Sequence, residues 1–394
     1  MTSGWRIGSI FGIPFLLNPT WFYSLAMFTL FFGAGLGLDG IWTWVTGFGM
    51  ALLLFASVLL HELGHSLVAQ AQGIQVNSIT LFPFGGIASI EQESKTPIEA
   101  FWVAIAGPAV SFGLFVLLVL GSLGLPEALP LKTMLVDLAN INFVLALFNM
   151  MPGLPLDGGQ VLKAAIWQLT GSRVKGVCYA AQAGQVLGWL AILLGIAGFL
   201  VTLRFSFLWL VLLGAFGIRR ASGYRRMIVL QEAMLQIQVG EIMQRQFEVV
   251  DANQTLEQFA ADYLSKASEI YYAESDGRYV GLVAVEQLRQ IERSLWSRQP
   301  LASLVQPWDD LPTLTESASL AEAIQQLEAH QLPKLPVLSN AGAVVGVVDR
   351  ALIVQALGQK LHLQVPEAVI QQIQAEGQFP PSLPLQSVAR DALK

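Results

Sequence analysis

Two histidines and a glutamate form the most specific chemical pattern in this sequence. They lie in His61-Glu62-Leu63-Gly64-His65, within a long apolar stretch. Side chains four residues apart share one face of an α-helix, so His61 and His65 can bind one metal ion through their imidazoles. Glu62 lies about 100° further round the helix, where its carboxylate can act as general base on a water molecule. The pattern is typical of a catalytic zinc site.

The acid that completes such a site is expected downstream, in a segment rich in proline and glycine. A catalytic zinc ion takes three protein ligands and keeps one position open for water. Asp157 lies between Pro155 and Gly158, where a broken helix lets a carboxylate turn inward. The alternative is that Asp157 caps the helix that follows it. We expect one zinc ion per chain, bound by His61, His65 and Asp157.

The elements that must position these residues are membrane-spanning helices. Apolar residues make up 54% of the chain and charged residues 13%, about half the charged share of a soluble protein. Windows of about 20 residues, long enough to cross a bilayer, fall at 20–38, 47–70, 98–122, 133–151, 183–203 and 205–219. Beyond Gly223 the charges are spaced as in a soluble domain. The sequence therefore predicts a polytopic α-helical membrane protein of about six spans, followed by a soluble α/β part.

The distribution of cationic residues predicts the orientation of these spans. Nine cations lie on the side of the N-terminus: Arg6, Lys95, Lys163, Arg173, Lys175, Arg219, Arg220, Arg225 and Arg226. Only Lys132 and Arg204 lie on the other side. Because cytoplasmic loops carry the excess of Lys and Arg, we expect a multi-pass protein of a prokaryotic-type inner membrane, with its N-terminus and soluble half in the cytoplasm. His61 would then lie about a third of the way in from the cytoplasmic face.

Charge and cysteine content exclude two other classes of protein. The net charge is -6 with no basic face, so nucleic acid is not an expected partner. A single cysteine, Cys178, excludes an internal disulfide and a multi-cysteine metal site.

Together, the histidine–glutamate helix and the later aspartate–glycine motif resemble the site-2 protease family of intramembrane zinc metalloproteases. The resemblance covers about residues 1–222. It implies that Glu62 is the catalytic base, that membrane lipid surrounds the enzyme, and that single-span membrane proteins are its substrates in regulated intramembrane proteolysis. It also implies that Asn149 orients substrate or stabilises the oxyanion, although Asn149 is equally compatible with simple helix packing.

Two further segments are similar to parts of that family. Gly107-Pro108 in the third predicted span matches the family's Gly-Pro step, with Ser111 where an asparagine is common. Residues 75–90 resemble a membrane-dipping β-hairpin, whose edge could receive an unwound substrate as an added strand. The alternative is that residues 75–90 form a simple loop between two spans.

The soluble half contains a repeat of about 60 residues that resembles a tandem pair of cystathionine-β-synthase (CBS) domains. Such pairs often bind adenosine nucleotides, but this chain departs from the nucleotide pattern. The hydroxyl and the acid expected after the two glycines Gly281 and Gly346 are replaced by Ala284 and Gln287 in the first unit and by Asp349 and Leu352 in the second. A ligand-free module that forms a homodimer or gates substrate is therefore an equal alternative.

These patterns predict five segments: a metalloprotease domain at 1–222, a linker helix at 223–238, CBS domains at 239–298 and 299–361, and a tail at 362–394 without evident chemistry. A non-catalytic binder of membrane helices and a transporter or channel gated by the CBS pair are the rival interpretations. The intact Glu62 beside a complete ligand set, and the single cluster of ionisable groups, favour the protease.

Overall fold

The computed structural model describes residues 4–35, 40–83, 85–90, 94–126, 129–263, 270–307, 311–339, 341–381 and 383–393. The chain divides into two compact units, residues 1–226 and 227–394.

The first unit is built mainly of apolar helices. They are α1 (Trp21–Gly35), α2 (Ile41–Ala71), α3 (Pro97–Leu123), α4 (Pro130–Asn149), α5 (Asp157–Thr170), α6 (Arg173–Thr202) and α7 (Leu208–Gln236), with a 3₁₀ turn at Phe205–Phe207. The last turns of α7, after residue 226, belong to the second unit. Within the described residues, five helices are long and apolar enough to cross a membrane, and the apolar helix at Trp21–Ala34 is shorter. The prediction of a polytopic helical membrane protein is confirmed; part of the first expected span, residues 36–39, lies outside the described residues.

α2 lies at the centre of this unit. Helices α1 and α3 pack against it, and α4 packs against both α3 and α2. At Gly64 the backbones of α2 and α3 approach so closely that an added Cβ would lie 3.0 Å from the carbonyl oxygen of Ala106. Small residues permit such close contact between membrane helices, and here the contact falls inside the histidine motif.

A four-stranded sheet accompanies the helices, in the order β1 (Trp5–Ile10), β2 (Ile13–Leu17), β3 (Val76–Phe82) and β4 (Gly85–Ile90). β3 and β4 pair antiparallel, which confirms the hairpin expected at residues 75–90. β2 pairs parallel to β3. The sequence did not reveal the β1–β2 hairpin, because every residue of β1 is exposed and the strand shows no alternation of buried and exposed side chains.

The second unit contains two small mixed sheets with the same order of elements. The first has β5 (Val249–Asp251), α9 (Leu256–Tyr263), β6 (Ile270–Ser275), β7 (Arg278–Ala284), α10 (Val285–Arg289) and β8 (Gln306–Pro307), preceded by α8 (Val239–Ile242). The second has β9 (Leu314–Thr315), α11 (Leu320–Ala329), β10 (Lys334–Leu338), β11 (Val344–Asp349) and α12 (Arg350–Lys360). In each sheet a parallel strand and an antiparallel strand flank a central strand, β6 or β10.

The C-terminal tail is part of the second hydrophobic core. It forms α13 (Glu367–Glu376) and α14 (Leu385–Ala392). Ile373 and Leu385 from these helices are buried in one cluster with Ile324 of α11. The sequence predicted no role for the tail. In the structure, it covers apolar side chains of the second sheet and its helices.

Candidate metal centre

The structure brings His61, His65 and Asp157 together. His61 Nε2 lies 3.1 Å from Asp157 Oδ2, and His65 Nε2 lies 3.3 Å from the same oxygen. One ligand atom from each residue lies within 4.8 Å of the others. A tetrahedral zinc site with bonds of about 2.0 Å has ligand separations of about 3.3 Å. The three side chains therefore have the spacing that a zinc ion requires.

The outer nitrogens of both imidazoles are held by hydrogen bonds from α3. His65 Nδ1 donates to the carbonyl oxygen of Val103 at 2.6 Å, since a carbonyl only accepts. His61 Nδ1 lies 2.9 Å from Ser111 Oγ, and the tautomer that donates to Ser111 leaves Nε2 free. Both Nε2 lone pairs then face a carboxylate oxygen, an arrangement that a cation between them satisfies. The donor set thus fits zinc in chemistry as well as in spacing.

Tertiary contacts of the preceding loop place Asp157 in this site. Asp157 is the first residue of α5, and the preceding Leu156 makes no side-chain cap. Leu154, in the loop before it, is buried, and its N–H donates to the carbonyl oxygen of Ala180 on α6 at 3.0 Å. Gly184 of α6 packs directly on Leu154. Because α6 holds the loop, the Asp157 carboxylate reaches the histidines.

The Gly-Pro step of α3 passes directly over the two imidazoles. A Cβ added to Gly107 would lie 2.7 Å from His61 Nε2 and even closer to His65 Nε2. Both nitrogens are the atoms that face Asp157, so a side chain at position 107 would enter the space between the three candidate ligands. The absence of a side chain at Gly107 keeps this space open.

Glu62 lies beside the centre and under the hairpin. A Cβ added to Gly86 of β4 would lie 2.5 Å from Glu62 Cγ. Within the described part of the chain, the Glu62 carboxylate has no hydrogen-bonding partner. A carboxylate that is half-buried, unpaired and adjacent to the histidines is free to exchange a proton with a water molecule.

Asn149 ends α4, eight residues before Asp157, and is half-buried. Sequence reasoning overlooked a second asparagine of α4, the fully buried Asn142. Its Nδ2 donates to Ser57 Oγ of α2 at 3.0 Å. The sequence signal that could have identified Asn142 is an amide side chain within an apolar span, because polar groups in such spans usually have a specific partner. The bond ties α4 to α2 one helical turn before His61.

The second unit contains a large cavity of about 1620 Å³. Phe247, Tyr272, Lys334 and Asp349 are among its lining residues. Asp349 Oδ1 accepts a hydrogen bond from the Leu352 N–H at 2.9 Å and so caps α12. Asp349, which stands where the nucleotide pattern has a hydroxyl, therefore caps the N-terminus of α12.

Close packing explains why glycine stands at positions 281 and 346, which precede the expected nucleotide contacts. A Cβ on Gly346 would lie 2.7 Å from Met243 Sδ, and one on Gly281 would lie 2.6 Å from Val305 Cγ1. Their presence therefore does not by itself indicate a ligand.

The apolar helices and the three convergent candidate ligands fit a membrane-embedded zinc metalloprotease. The profile of Peptidase family M50 matches residues 49–134 and 126–191, and the CBS domain profile matches residues 302–359. The chain is 41% identical over 364 residues to the protein named zinc metalloprotease sll0528 of Synechocystis sp., covering 91% of this chain and 96% of that protein. The chain belongs to Peptidase family M50, the site-2 protease family, and is a zinc metalloprotease.

More distant relatives cover similar regions. The protein named zinc metalloprotease Rip3 of Mycobacterium tuberculosis is 32% identical over 333 residues, covering 83% of this chain and 85% of that protein. Among solved structures, the site-2 protease from Methanocaldococcus jannaschii is 30% identical and covers 57% of this chain and 96% of that chain, with a TM-score of 0.41.

Proposed function

We propose that this metalloprotease hydrolyses peptide bonds within or beside the membrane-spanning segments of single-span proteins, in regulated intramembrane proteolysis. His61, His65 and Asp157 are the proposed ligands of one zinc ion, and Glu62 is the proposed general base. The observation that carries the proposal is the convergence of His61 Nε2, His65 Nε2 and Asp157 Oδ2 beside an unpaired carboxylate, inside a bundle of apolar helices.

When bound, the zinc ion polarises the scissile carbonyl and increases the acidity of water. Glu62 accepts a proton from the attacking water and later transfers it to the leaving amine. His61 and His65 keep their Nδ1 protons, because Ser111 and the Val103 carbonyl hold them. Asn149, at the end of α4, is the proposed donor that orients the substrate or stabilises the oxyanion.

The β4 edge is the proposed binding place for the unwound substrate. β4 is the last strand of its sheet and pairs only with β3 among the described strands. Its Gly86 packs against Glu62. A substrate added as a strand beside β4 would carry its carbonyls past the Glu62 carboxylate. A helical substrate must unwind first, because a hydrogen-bonded helix shields its carbonyls.

The distribution of Lys and Arg supports the proposed orientation, in which a prokaryotic-type inner membrane holds the first unit and the second unit is cytoplasmic. We propose that the paired sheet-and-helix units of the cytoplasmic half gate the protease. The cavity of about 1620 Å³ supports a sensed ligand, such as an adenosine nucleotide, whereas the capping role of Asp349 favours gating through a homodimer without one.

The decisive experiment is cleavage of a tagged single-span protein by the reconstituted enzyme, beside Glu62→Gln and beside the enzyme treated with a zinc chelator. We expect loss of cleavage in both controls. Cleavage that survives Glu62→Gln would contradict the assigned mechanism. If the unaltered enzyme binds zinc but cuts nothing, deletion of residues after Gly223 would show whether the cytoplasmic half holds it inactive.

A further inference from the structure

A groove lies in the first unit, away from the metal centre. Along α2, Ser57 lies between the groove residue Met50 and His61. It is a cavity of about 600 Å³, lined by Phe31, Phe32, Ala34, Met50, Asp137, Asn140 and Ile141. These residues come from α1, α2 and α4, so α1 and α4 form the walls and α2 the floor. All three helices are apolar, and the groove therefore lies at the depth of the bilayer.

Two polar side chains face into this apolar groove. Asp137 and Asn140 are exposed and lie one turn apart on α4, whereas the nearby Asn142 is buried and faces α2. No described side chain pairs with the Asp137 carboxylate. An ionisable group within a membrane span is costly and usually serves a partner. The partner of Asp137 is therefore expected to enter from outside the protein.

The groove is aligned with the metal centre. Met50 precedes His61 by eleven residues on α2, which is about three turns, so both residues lie on one face of that helix. The distance along the axis is about 16 Å. A membrane-spanning segment that occupies the groove would be long enough to reach the metal centre with its cytoplasmic portion.

We propose that this groove docks the membrane-spanning segment of a substrate, and that Asp137 and Asn140 select a segment with a Lys or Arg at that depth. The inference rests on the proposed function. A lipid chain offers no partner for a carboxylate, whereas a basic side chain of the substrate pairs with it and is itself desolvated at that depth. The basic residue would lie about eleven residues from the scissile bond if the segment is helical between the two sites, and fewer if it is unwound.

A set of single-span substrates tests this docking, each carrying one Lys at a different distance from the cleavage site, with a Lys-free parent. We expect the unaltered enzyme to prefer one Lys position. Asp137→Asn should lower kcat/KM for that substrate about tenfold, as expected for loss of a charge-assisted hydrogen bond, with little change for the Lys-free parent. Equal loss for all substrates, or no effect of the Lys position, would overturn the proposal.

The double variant Asp137→Asn with Asn140→Asp is the matched control. It keeps one carboxylate in the groove but moves it one turn towards the end of α4 nearer the metal centre, by about 4.5 Å. The preferred Lys should move about three residues towards the scissile bond. A carboxylate with only a structural role would produce no such shift.

A crosslinking measurement separates this proposal from the proposed function. In the Glu62→Gln enzyme, a photoreactive residue at position 141, inside the groove, should capture the substrate segment. The same residue at position 144, exposed on α4 and outside the groove, should not. If neither the unaltered enzyme nor the variant that lacks the residues after Gly223 cleaves a substrate, the proposed function fails, while capture at 141 still supports the groove. Capture of lipid alone, or equal capture at both positions, would refute the docking.

Discussion

The Nδ1 atom of His65 lies 2.6 Å from the carbonyl oxygen of Val103, so the backbone of α3 fixes the tautomer of a side chain on α2. His61 has the same kind of contact through the hydroxyl of Ser111. Orientation of a ligand histidine through its second nitrogen is a general feature of metal sites. In this site, only the Ser111 contact can be removed by substitution.

Ser111→Ala should weaken zinc binding at least tenfold, the lower end of the range for removed ligand-orienting contacts. The measurement is the zinc dissociation constant by competition with a chelator. Ser122→Ala is the matched control, because Ser122 is also buried on α3 but its hydroxyl donates to the Val119 carbonyl of its own helix. Equal zinc affinity in Ser111→Ala and the unaltered enzyme would show that Ser111 does not orient His61.

Gly107→Ala should abolish both zinc binding and cleavage, because its Cβ would occupy the space beside His61 Nε2 and His65 Nε2. The control is Gly113→Ala on the same helix, where an added Cβ meets nothing within 4 Å. Zinc content and thermal unfolding of both purified variants provide the comparison. A folded Gly107→Ala protein with full zinc content would contradict the proposed position of the metal.

Gly86→Ala should lower kcat at least tenfold and leave the zinc content unchanged. Its Cβ would push against Glu62 Cγ and displace the proposed base, while the three proposed ligands are untouched. Ser89→Ala, exposed on the same strand, should keep normal turnover. A simultaneous loss of zinc in Gly86→Ala would indicate a general disruption of the site.

Arg350→Ala should destabilise the second unit by about 3 kcal/mol, because it removes a buried guanidinium with its hydrogen bonds to two carbonyls and its ion pair with the half-buried Glu328. Arg350 is buried; its Nε donates to Glu328 at 2.8 Å, its terminal nitrogens donate to two carbonyls, and its Cζ lies 5.7 Å from the Phe379 ring. Hydrogen exchange should show loss of protection in α13 and α14.

The exposed Arg289→Ala is the control for this substitution and should change stability by less than about 0.5 kcal/mol. Unchanged exchange of the tail in Arg350→Ala would show that Arg350 does not hold it.

Long-range contacts explain what sequence reasoning missed. The helices and the hairpin at residues 75–90 follow from apolar runs and turn residues, which act over a few positions. The pairing of β2 with β3 and the burial of the tail depend on partners far along the chain: Phe15 is opposite Ile79 in the sheet, and Leu385 packs in a core with Ile324. No local pattern distinguishes such segments from solvated ones.

The sequence alone determined that two imidazoles and a carboxylate lie together on one apolar helix, because helical spacing is periodic and needs no distant contact. The sequence also indicated that Asp157 is the downstream acid available as a third ligand. Only the tertiary structure decided that Asp157 faces the imidazoles, that Ser111 and Val103 hold their outer nitrogens, and that Gly107 keeps the space between them open. These relationships depend on how separate helices pack and on how α6 holds the loop before Asp157, and such packing is not encoded in any local spacing.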